Sequence, residues 1–566
     1  MAELSYKEFM DRLKAHLETF SLEDYKNLII DMAGKEPPSK RREFLERLTP
    51  QKEVIDKVEE LLDEIEQFAQ RVEEGEYCDG WGWDDDIQDE RDWGDESWAL
   101  EMDAYFLQAR TLMLQGEYKF AKNAYAMLFD TLALGEEPGH LPGRYNPDCM
   151  LTVDIEEQLA IFLRAIYLDT ASESRPALLY QTMNTYSYLV VEFKLKDIIN
   201  ALERPLPDLD LFLTDWIKFL KPQKGIQASA LLREAILMKG GLSAIAELAR
   251  SFPEQYPRAY VDWLTTLEDL GDITTLIKVA KEGLEKIPKD FKVRAEVAEF
   301  LARTGEQLND NELKLEGYKE SFYSYPSLKC LLDLYLIAKE EDRFDEIKSI
   351  VEDRVIKLEK ESSIVVNGYY CSEQDRTTLA KGILPSVLLL SGNYEKVLEM
   401  CTKKGSLGWS LPENPKPLFI TFMMLILSKD GIYTTTLNSE WEKAIRNTNL
   451  AADKEYVEKY KQIINDTKNS LQLTTEQEAF YLKWCLEELD QRIEAIIRNK
   501  YRGSYYKAAQ LLVAMAETLA NREGSDKARD LIVKYKGKYP KYSAFQREVR
   551  RALQGSDFDV TKFLRK

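Results

Sequence analysis

The chain carries few side chains of the kinds that perform catalysis. It has two histidines, His16 and His140, and its six cysteines form no C-x-x-C pair. A cysteine–histidine nucleophile can be assembled from residues far apart in sequence, but no local signature supports His140 with Cys149. His16 lies among charged residues, which indicates a solvated side chain. These residues predict a protein that is not an enzyme.

Cofactor sites also lack their motifs. The sequence has no P-loop and no G-x-G-x-x-G after a strand, so it offers no loop to cradle a phosphate. Two histidines and scattered cysteines do not make a usual zinc site. The order of Asp79, Asp84 and Asp86 does not match the twelve-residue calcium loop. We expect neither a cofactor nor a metal.

The segment most open to another protein is residues 402–418, with the sequence TKKGSLGWSLPENPKPL. Glycine and serine leave its backbone mobile, and each proline removes an amide donor and restricts the residue before it. Leu407, Trp409 and Leu411 are the apolar side chains at its centre. Exposed loops of this kind are where proteases find an extended backbone. We therefore expect a flexible linker whose role depends on what contacts or cuts it.

Helical periodicity dominates the rest of the chain and predicts an all-α fold. Apolar residues recur at helical spacing over 4–20 and again at Val54, Val58, Leu61, Ile65 and Phe68. Between these stretches, residues 35–48 read as a loop and a new helix, with Ser39 as its N-cap. The VVNGYY segment at 365–370 is the one strand-like pattern.

Helix pairs separated by glycine recur along the middle of the chain. Gly116, Gly271 and Gly305 each lie between two helical patterns, and the last two are 34 residues apart, the period of a tetratricopeptide repeat. Similar layouts occur at 390–401 and 521–540. Other intervals are irregular, so the prediction is a degenerate tetratricopeptide-like solenoid of helical pairs. An irregular helical bundle remains the alternative.

The second break in composition is acidic and rich in tryptophan. Residues 76–98 hold ten carboxylates, one arginine and four tryptophans. Charge repulsion and three glycines argue against a helix here, so we predict a loop. Its tryptophans either fold back onto neighbouring helices or anchor a basic partner.

Although the chain is acidic overall, it contains one basic patch. Residues 495–524 combine cations with tyrosines, a mixture that can bind single-stranded nucleic acid: Arg498, Lys500, Arg502, Lys507, Tyr501, Tyr505 and Tyr506. The alternative is a joint between helices with solvated charges. The formal net charge of −22 opposes a phosphate-backbone ligand, so no nucleic-acid partner is expected.

These observations predict five regions in a chain too long for one core. They are an N-terminal helical region (1–75), the acidic tryptophan-rich loop (76–98), a helical-repeat domain (99–401), the flexible linker (402–418) and a separate small C-terminal helical domain (419–566). Irregular cysteine spacing favours a reducing compartment. The charged N-terminus and the lack of an 18-residue apolar run favour a cytoplasmic protein without a membrane partner.

Two resemblances follow from these residues. Residues 499–519, followed by 535–549, look like the C-terminal helical region of bacterial proteins associated with SWIM zinc fingers, but the zinc finger itself is missing. Over its whole length, the chain resembles the Craspase substrate family of type III-E CRISPR systems. That resemblance rests on length, helical make-up, the acidic front and the hinge before a small C-terminal domain.

The resemblance to the Craspase substrate family implies a mechanism. An RNA-guided effector that recognises foreign RNA would activate a tetratricopeptide–caspase-like protease, which would cut between the large N-terminal and small C-terminal parts. The uncut protein would also be linked to a sigma factor of the extracytoplasmic-function type and to another CRISPR-associated protein. Cutting would then alter transcription or growth as an antiviral response.

Carried onto this sequence, the resemblance implies a cut between Leu407 and Gly408. Leu407 would be the specificity side chain, and Gly408 would ease entry of the backbone. The remaining recognition residues would lie extended in the protease groove: Lys403, Lys404, Gly405, Ser406, Trp409 and Ser410. A rival bond is Leu427–Ser428, but its apolar surroundings predict a buried helix. The alternative functions are an adaptor scaffold without regulated cleavage and nucleic-acid binding through 495–541.

Overall fold

A computed structural model describes residues 19–35, 51–86, 89–135, 137–190, 192–361, 372–379, 382–429, 431–450 and 453–558. The predictions made for residues 4–18, for the helix after Ser39 and for the segment 365–370 lie outside these ranges. The described chain is helical apart from one two-stranded sheet, which confirms the all-α fold class. It divides into two compact units, Met1–Gln223 and Lys224–Lys566.

The first unit contains nine described helices and the sheet. They are α1 (Leu22–Lys35), α2 (Gln51–Glu73), β1 (Cys78–Asp84), β2 (Asp89–Gly94), α3 (Trp98–Gln115), α4 (Tyr118–Leu134), α5 (Pro147–Met150), α6 (Ile155–Asp169), α7 (Arg175–Thr185), α8 (Leu195–Asn200) and α9 (Leu209–Leu220).

Aromatic rings fill the centre of the first unit. The predicted helix is α2, and Val58, Leu61, Ile65 and Phe68 on it are buried. Helix α4 packs against α2, α3 and α6. Rings from α3, α4 and α6 lie between 5.3 and 6.3 Å apart, as aromatic pairs prefer: Phe106, Tyr125, Phe129 and Phe162.

The second unit contains the remaining described helices. They are α10 (Ile226–Ser251), α11 (Arg258–Asp269), α12 (Ile273–Lys286), α13 (Arg294–Leu308), α14 (Asn311–Ser324), α15 (Leu328–Glu340), α16 (Phe344–Glu361), α17 (Ile383–Leu390), α18 (Tyr394–Thr402), α19 (Lys416–Ser428), α20 (Thr435–Ile445), α21 (Lys454–Ser470), α22 (Thr475–Arg498), α23 (Tyr505–Glu523), α24 (Ser525–Lys538) and α25 (Ser543–Gln554). A π-helix follows α20, a 3₁₀ turn precedes α23, and Gly241 interrupts α10.

One hydrophobic core runs through most of the second unit. From α10 to α16, each helix packs against the next one along the chain. Buried residues from Leu315 to Phe558 then form a single cluster that includes side chains on both sides of residues 402–418. The structure therefore divides the chain at Gln223, and not at the predicted linker, which lies inside the second unit.

The acidic tryptophan-rich segment is a β-hairpin where the sequence predicted a loop. Strands β1 and β2 pair antiparallel, with Trp81 opposite Asp92 and Trp83 opposite Glu90. Repulsion among the carboxylates of this segment is reduced at Asp84. This buried side chain accepts a hydrogen bond from the Asp86 amide and lies beside the Arg91 and Arg144 guanidinium groups. The amide and the two cations lower the pKa of Asp84.

The glycine spacing that predicted repeats has two different structural origins. Gly271 has a φ of 70° and lies in the turn between α11 and α12, as predicted. Gly305 instead lies inside α13. That helix ends at Leu308, and its C-cap residue, Asn309, has a φ of 54°. The predicted turn at Gly305 is therefore wrong, and the 34-residue interval does not join equivalent turns. Gly116 does lie in a turn, between α3 and α4.

Gly305 is needed for close packing between α13 and α14. A Cβ atom on Gly305 would lie 2.6 Å from the backbone nitrogen of Lys314. On the facing helix, a Cβ atom on Gly317 would lie 2.4 Å from the backbone nitrogen of Ala302. Both distances are far shorter than a van der Waals contact, so the two helices approach only because these side chains are absent.

Among the described residues, no helix is both long enough and apolar enough to cross a membrane.

We expect Gly317→Ala to destabilise the protein by about 1–3 kcal/mol, because the added methyl group forces α13 and α14 apart. Gly537→Ala is the matched control, since its Cβ would meet nothing within 4 Å in α24. Removing a helical glycine should raise stability by up to about 1 kcal/mol there. Urea unfolding followed by circular dichroism compares the two midpoints, and equal midpoints would contradict the packing argument.

Candidate functional site

The non-helical segment between α18 and α19 is shorter than the sequence predicted. Thr402 is the last residue of α18, and α19 begins at Lys416, so residues 403–415 form what we call the connecting segment. Pro417 lies in the first turn of α19 and does not prevent it. A first-turn amide has no intrahelical acceptor, so proline costs little at that position.

Helix α22 anchors the middle of the connecting segment. The Trp409 ring is 9% exposed, and the Arg492 guanidinium lies over it at 4.3 Å from the ring centroid. The Arg492 Nη1 atom also donates to the Ser406 carbonyl at 2.8 Å. Burial lowers the pKa of Arg492 to about 10, so the guanidinium stays charged at neutral pH. One arginine side chain thus binds the segment at two points.

The indole N–H of Trp409 lowers the stability of this anchor. Within the described residues, the buried Nε1 atom of Trp409 has no hydrogen-bond partner. A buried donor without an acceptor costs roughly 1–3 kcal/mol relative to one that is hydrated. Release of Trp409 into water would recover that energy while losing apolar burial. The anchor is therefore less stable than its burial alone indicates.

Asn414 holds the backbone at the predicted cut. Its side-chain amide donates to the carbonyls of Leu407, at 3.4 Å, and Gly408, at 3.2 Å. Its Oδ1 atom accepts from the Lys416 amide at 3.1 Å. Asn414 is buried and thereby connects the exposed part of the segment to the start of α19.

A buried ion pair fixes the end of the connecting segment. The Lys416 ammonium lies 2.8 Å and 3.0 Å from the two carboxylate oxygens of Glu488 on α22. Both side chains are more than 90% buried. A charge at this depth is tolerated only with its partner, because each one alone would keep its full desolvation cost. Glu488 and Arg492 are one helical turn apart, so a single face of α22 holds both anchors.

The amides around the predicted cut are unpaired. Among the residues that the structure describes, none from Gly405 to Ser410 donates a backbone hydrogen bond, whereas Lys403, Lys404 and Leu411 do. Leu407 is 38% exposed, and no atom lies within 4 Å of a Cβ built on Gly405. These six amides have no backbone acceptor to lose, and an incoming strand would pair with alternate ones among them, while the Gly408 carbonyl accepts from the Leu411 amide at 3.2 Å.

The predicted site residues are contiguous but differ in exposure. Leu407 and Gly408 lie at the surface, as do Lys403, Gly405 and Ser410, while Lys404 and Ser406 are half-buried. The exposed Lys403 ammonium pairs with Glu399 at 2.8 Å. Trp409 is buried, so it contacts α22 and not solvent. Gly408 has a φ of 73°, a left-handed conformation that other residues adopt at a cost.

The rival cleavage bond lies in a helix. Leu427 and Ser428 end α19, and both side chains are 1% exposed. A protease would reach that bond only after α19 had unfolded, as the apolar sequence around it predicts.

The basic patch is partly neutralised by neighbouring carboxylates. Tyr505 is buried at the start of α23, whereas Tyr501 and Tyr506 are exposed. The guanidinium of Arg498 pairs with Glu494, which also lies 3.6 Å from Lys538. This arrangement agrees better with a joint between helices than with a groove for a phosphate backbone.

His140 and Cys149 have surroundings that do not activate a nucleophile. The Nδ1 atom of His140 lies 3.0 Å from the Val72 carbonyl. The neighbouring Asp148 carboxylate raises the pKa of Cys149 and so reduces its thiolate fraction. The described cysteines are free thiols, and the described residues hold no cluster of three potential metal ligands.

Sequence reasoning missed the residues that anchor the connecting segment. Glu488 and Arg492 lie four residues apart on an amphipathic helix, where such a pair ordinarily forms a solvated face. Asn414 lies in a stretch whose composition indicates only the lack of a helix. Nothing local to any of the three indicates a partner in the connecting segment.

No protein-family model matches this chain, and no curated protein matches it either.

We expect Glu488→Met to destabilise the second unit by about 3–5 kcal/mol, because it leaves the Lys416 ammonium buried without a counter-charge. The matched double variant, Lys416→Met with Glu488→Met, should recover most of that loss. Thermal unfolding measured by calorimetry compares the variants with the parent protein. A double variant as unstable as the single one would show that the buried charge is not the cause.

Proposed function

We propose that this is a non-enzymatic regulatory protein of a type III-E CRISPR system, cut in its connecting segment by an RNA-activated, CRISPR-associated caspase-like protease. The cut hydrolyses the Leu407–Gly408 bond between residues 1–407 and residues 408–566, and the two parts separate in a later step. This separation triggers an antiviral change in transcription or growth, through a sigma factor and another CRISPR-associated protein in the cytoplasm. The proposal rests on the resemblance described above together with the geometry of the segment.

The observation that carries the proposal is the run of unpaired amides beside an exposed leucine. A protease binds its substrate as an added strand, so it needs free backbone donors and alternating side chains that reach its pockets. Gly405 to Ser410 offer those donors, and the Leu407 side chain is partly exposed. The ends of the segment are held by α18 and α19, so the chain is presented at one place.

Entry into a protease groove breaks a small set of contacts. The carbonyls of Ser406, Leu407 and Gly408 must leave Arg492 and Asn414, and the Gly408 carbonyl must also leave the Leu411 amide. Each such bond contributes roughly 0.5–1.5 kcal/mol net, or about twice that from a charged donor. Protease–substrate backbone bonds replace them, so the segment can open locally while α19 stays folded.

Leu407→Asp should block cutting, because a carboxylate would have to enter an apolar pocket. Leu411→Asp is the matched control: Leu411 is also exposed in the same segment but lies outside the predicted recognition residues. Each purified variant is incubated with the target-RNA-activated protease, and the loss of full-length chain is followed by gel electrophoresis. We expect at least a tenfold slower loss for Leu407→Asp than for Leu411→Asp, which corresponds to about 1.4 kcal/mol.

Equal rates for the two variants would remove Leu407 as the specificity residue. A circular-dichroism melt of each variant checks that both remain folded.

The two parts share many contacts that a single cut leaves in place. The rings of Tyr394 and Phe422 lie 5.3 Å apart across the cut. Asp333 accepts from Tyr456 at 2.7 Å and from Lys459 at 2.8 Å, and Lys339 pairs with Asp466 at 3.0 Å. Separation is therefore a second step after hydrolysis, and it requires the shared core to open.

We expect the cut protein to remain one particle on native size-exclusion chromatography at high concentration, because the core is still buried. The fragments should separate at a lower urea concentration than is needed to unfold the uncut chain, since their association has become bimolecular. Mock-treated protein is the control. Fragments that elute apart immediately in native buffer would contradict the shared core.

A helical adaptor without regulated cleavage is the second candidate function. The observation that favours it is the anchoring of the connecting segment by Trp409, Arg492 and Asn414, which limits its mobility. Replacing wild type by Leu407→Asp in cells separates the two candidates. The adaptor predicts an unchanged response to target RNA, whereas regulated cleavage predicts that the response is lost.

A further inference from the structure

The outer face of the β-hairpin has a composition unusual for a protein surface. The alternation of strands β1 and β2 puts Trp81 and Trp83 on the same face as their cross-strand partners, Asp92 and Glu90. The two indole side chains are 54% and 55% exposed. We call these four residues the tryptophan face. Large aromatic side chains are normally buried, and two adjacent exposed ones indicate a binding surface.

The polar atoms of both indoles are already bonded. Trp81 Nε1 donates to Glu90 at 3.1 Å, and Trp83 Nε1 donates to Asp85 at 3.0 Å. These bonds hold the indole N–H edges, and about half of each residue's surface remains exposed. Each carboxylate has more acceptor sites than one indole N–H occupies. A ligand for this face must therefore stack on a ring and donate hydrogen bonds to a carboxylate.

The opposite face of the same hairpin already holds such a group. The Arg91 guanidinium lies over the Trp93 ring at 3.7 Å from its centroid. Its Nε atom lies 2.9 Å from Asp84, and its Nη1 atom lies 3.1 Å from Glu96. Here the chain supplies its own arginine to an indole and two carboxylates. On the tryptophan face, among the described residues, no side-chain cation lies over Trp81 or Trp83.

We propose that the tryptophan face binds an arginine-containing basic segment of a protein partner. A guanidinium is planar, so it can stack on an indole while its N–H groups reach Glu90 or Asp92. The formal net charge of −22 draws a basic segment towards the surface. A nucleic acid could also stack on the rings, but its phosphates would meet the surrounding carboxylates. This inference is independent of cleavage in the connecting segment.

The hairpin is held firmly enough to present this face. Asp92 accepts from the Gly139 amide at 2.7 Å, and the Arg144 guanidinium pairs with Asp86 at 2.6 Å. These contacts attach β2 and the residues just after β1 to the loop after α4. A rigid platform reduces the ordering cost that a partner would otherwise meet on binding.

The test uses the full chain and a labelled octapeptide of alternating glycine and arginine, followed by fluorescence anisotropy. A peptide of alternating glycine and glutamate gives the charge control. We expect saturable binding of the arginine peptide alone, weakened at high ionic strength because part of the attraction is electrostatic. A labelled oligothymidylate should not bind, and its binding in preference to the arginine peptide would overturn the proposal.

Paired variants separate stacking from charge. Trp81→Thr with Trp83→Thr keeps strand-forming side chains but removes both rings, and should weaken peptide binding about tenfold. Tyr145→Thr removes an exposed aromatic ring outside the tryptophan face and should leave binding unchanged. If the double tryptophan variant, with an unchanged circular-dichroism melt, binds the arginine peptide as tightly as the parent protein, the attraction is diffuse charge and the proposal fails.

Discussion

The buried Lys416–Glu488 pair is the constraint on which the arrangement of the connecting segment depends. Two opposite charges lie inside an apolar core, so neither can move without leaving the other unpaired. The pair fixes the start of α19 against α22. One turn further along α22, Arg492 binds Trp409 and the Ser406 carbonyl. The path of the chain from Ser406 to Lys416 is set by this one face of α22.

Within the connecting segment, several backbone carbonyls are bonded to side chains, whereas a run of backbone amides remains unpaired. Carbonyls at Ser406, Leu407 and Gly408 are bonded to side chains, while the amides from Gly405 to Ser410 are not paired. The segment is thus ordered without being part of a helix or a sheet. Such an arrangement suits regulated cutting, because a tightly matched protease can capture the amides. A less specific protease would instead meet a backbone that turns at Gly408 and is not extended.

Much of the fold could be predicted from the sequence, because helical periodicity is local. The pattern of Val58, Leu61, Ile65 and Phe68 predicted α2. The positions of Gly116 and Gly271 between two helical patterns predicted the turns there, and both glycines have a positive φ in the structure. The prediction failed where a contact between two helices decides the structure. Gly305 serves the packing of α13 on α14, which its own neighbours in sequence do not reveal.

The same limit explains the errors at the candidate site and the hairpin. Residues 402–418 have the composition of a linker, yet Trp409 and Lys416 find partners more than seventy residues away on α22. Charge repulsion predicted a loop at 76–98, but Arg144 from outside the segment joins Arg91 beside Asp84. Leu407 and Gly408 were identified from local composition and resemblance, and both lie at the surface.

Regulated cutting of the connecting segment is tested most directly by intact-mass spectrometry after incubation of the full chain with the target-RNA-activated protease. The account predicts two products, one ending at Leu407 and one beginning at Gly408, and no cutting without target RNA. A chain that stays intact with target RNA, or is cut only outside residues 400–430, would contradict it.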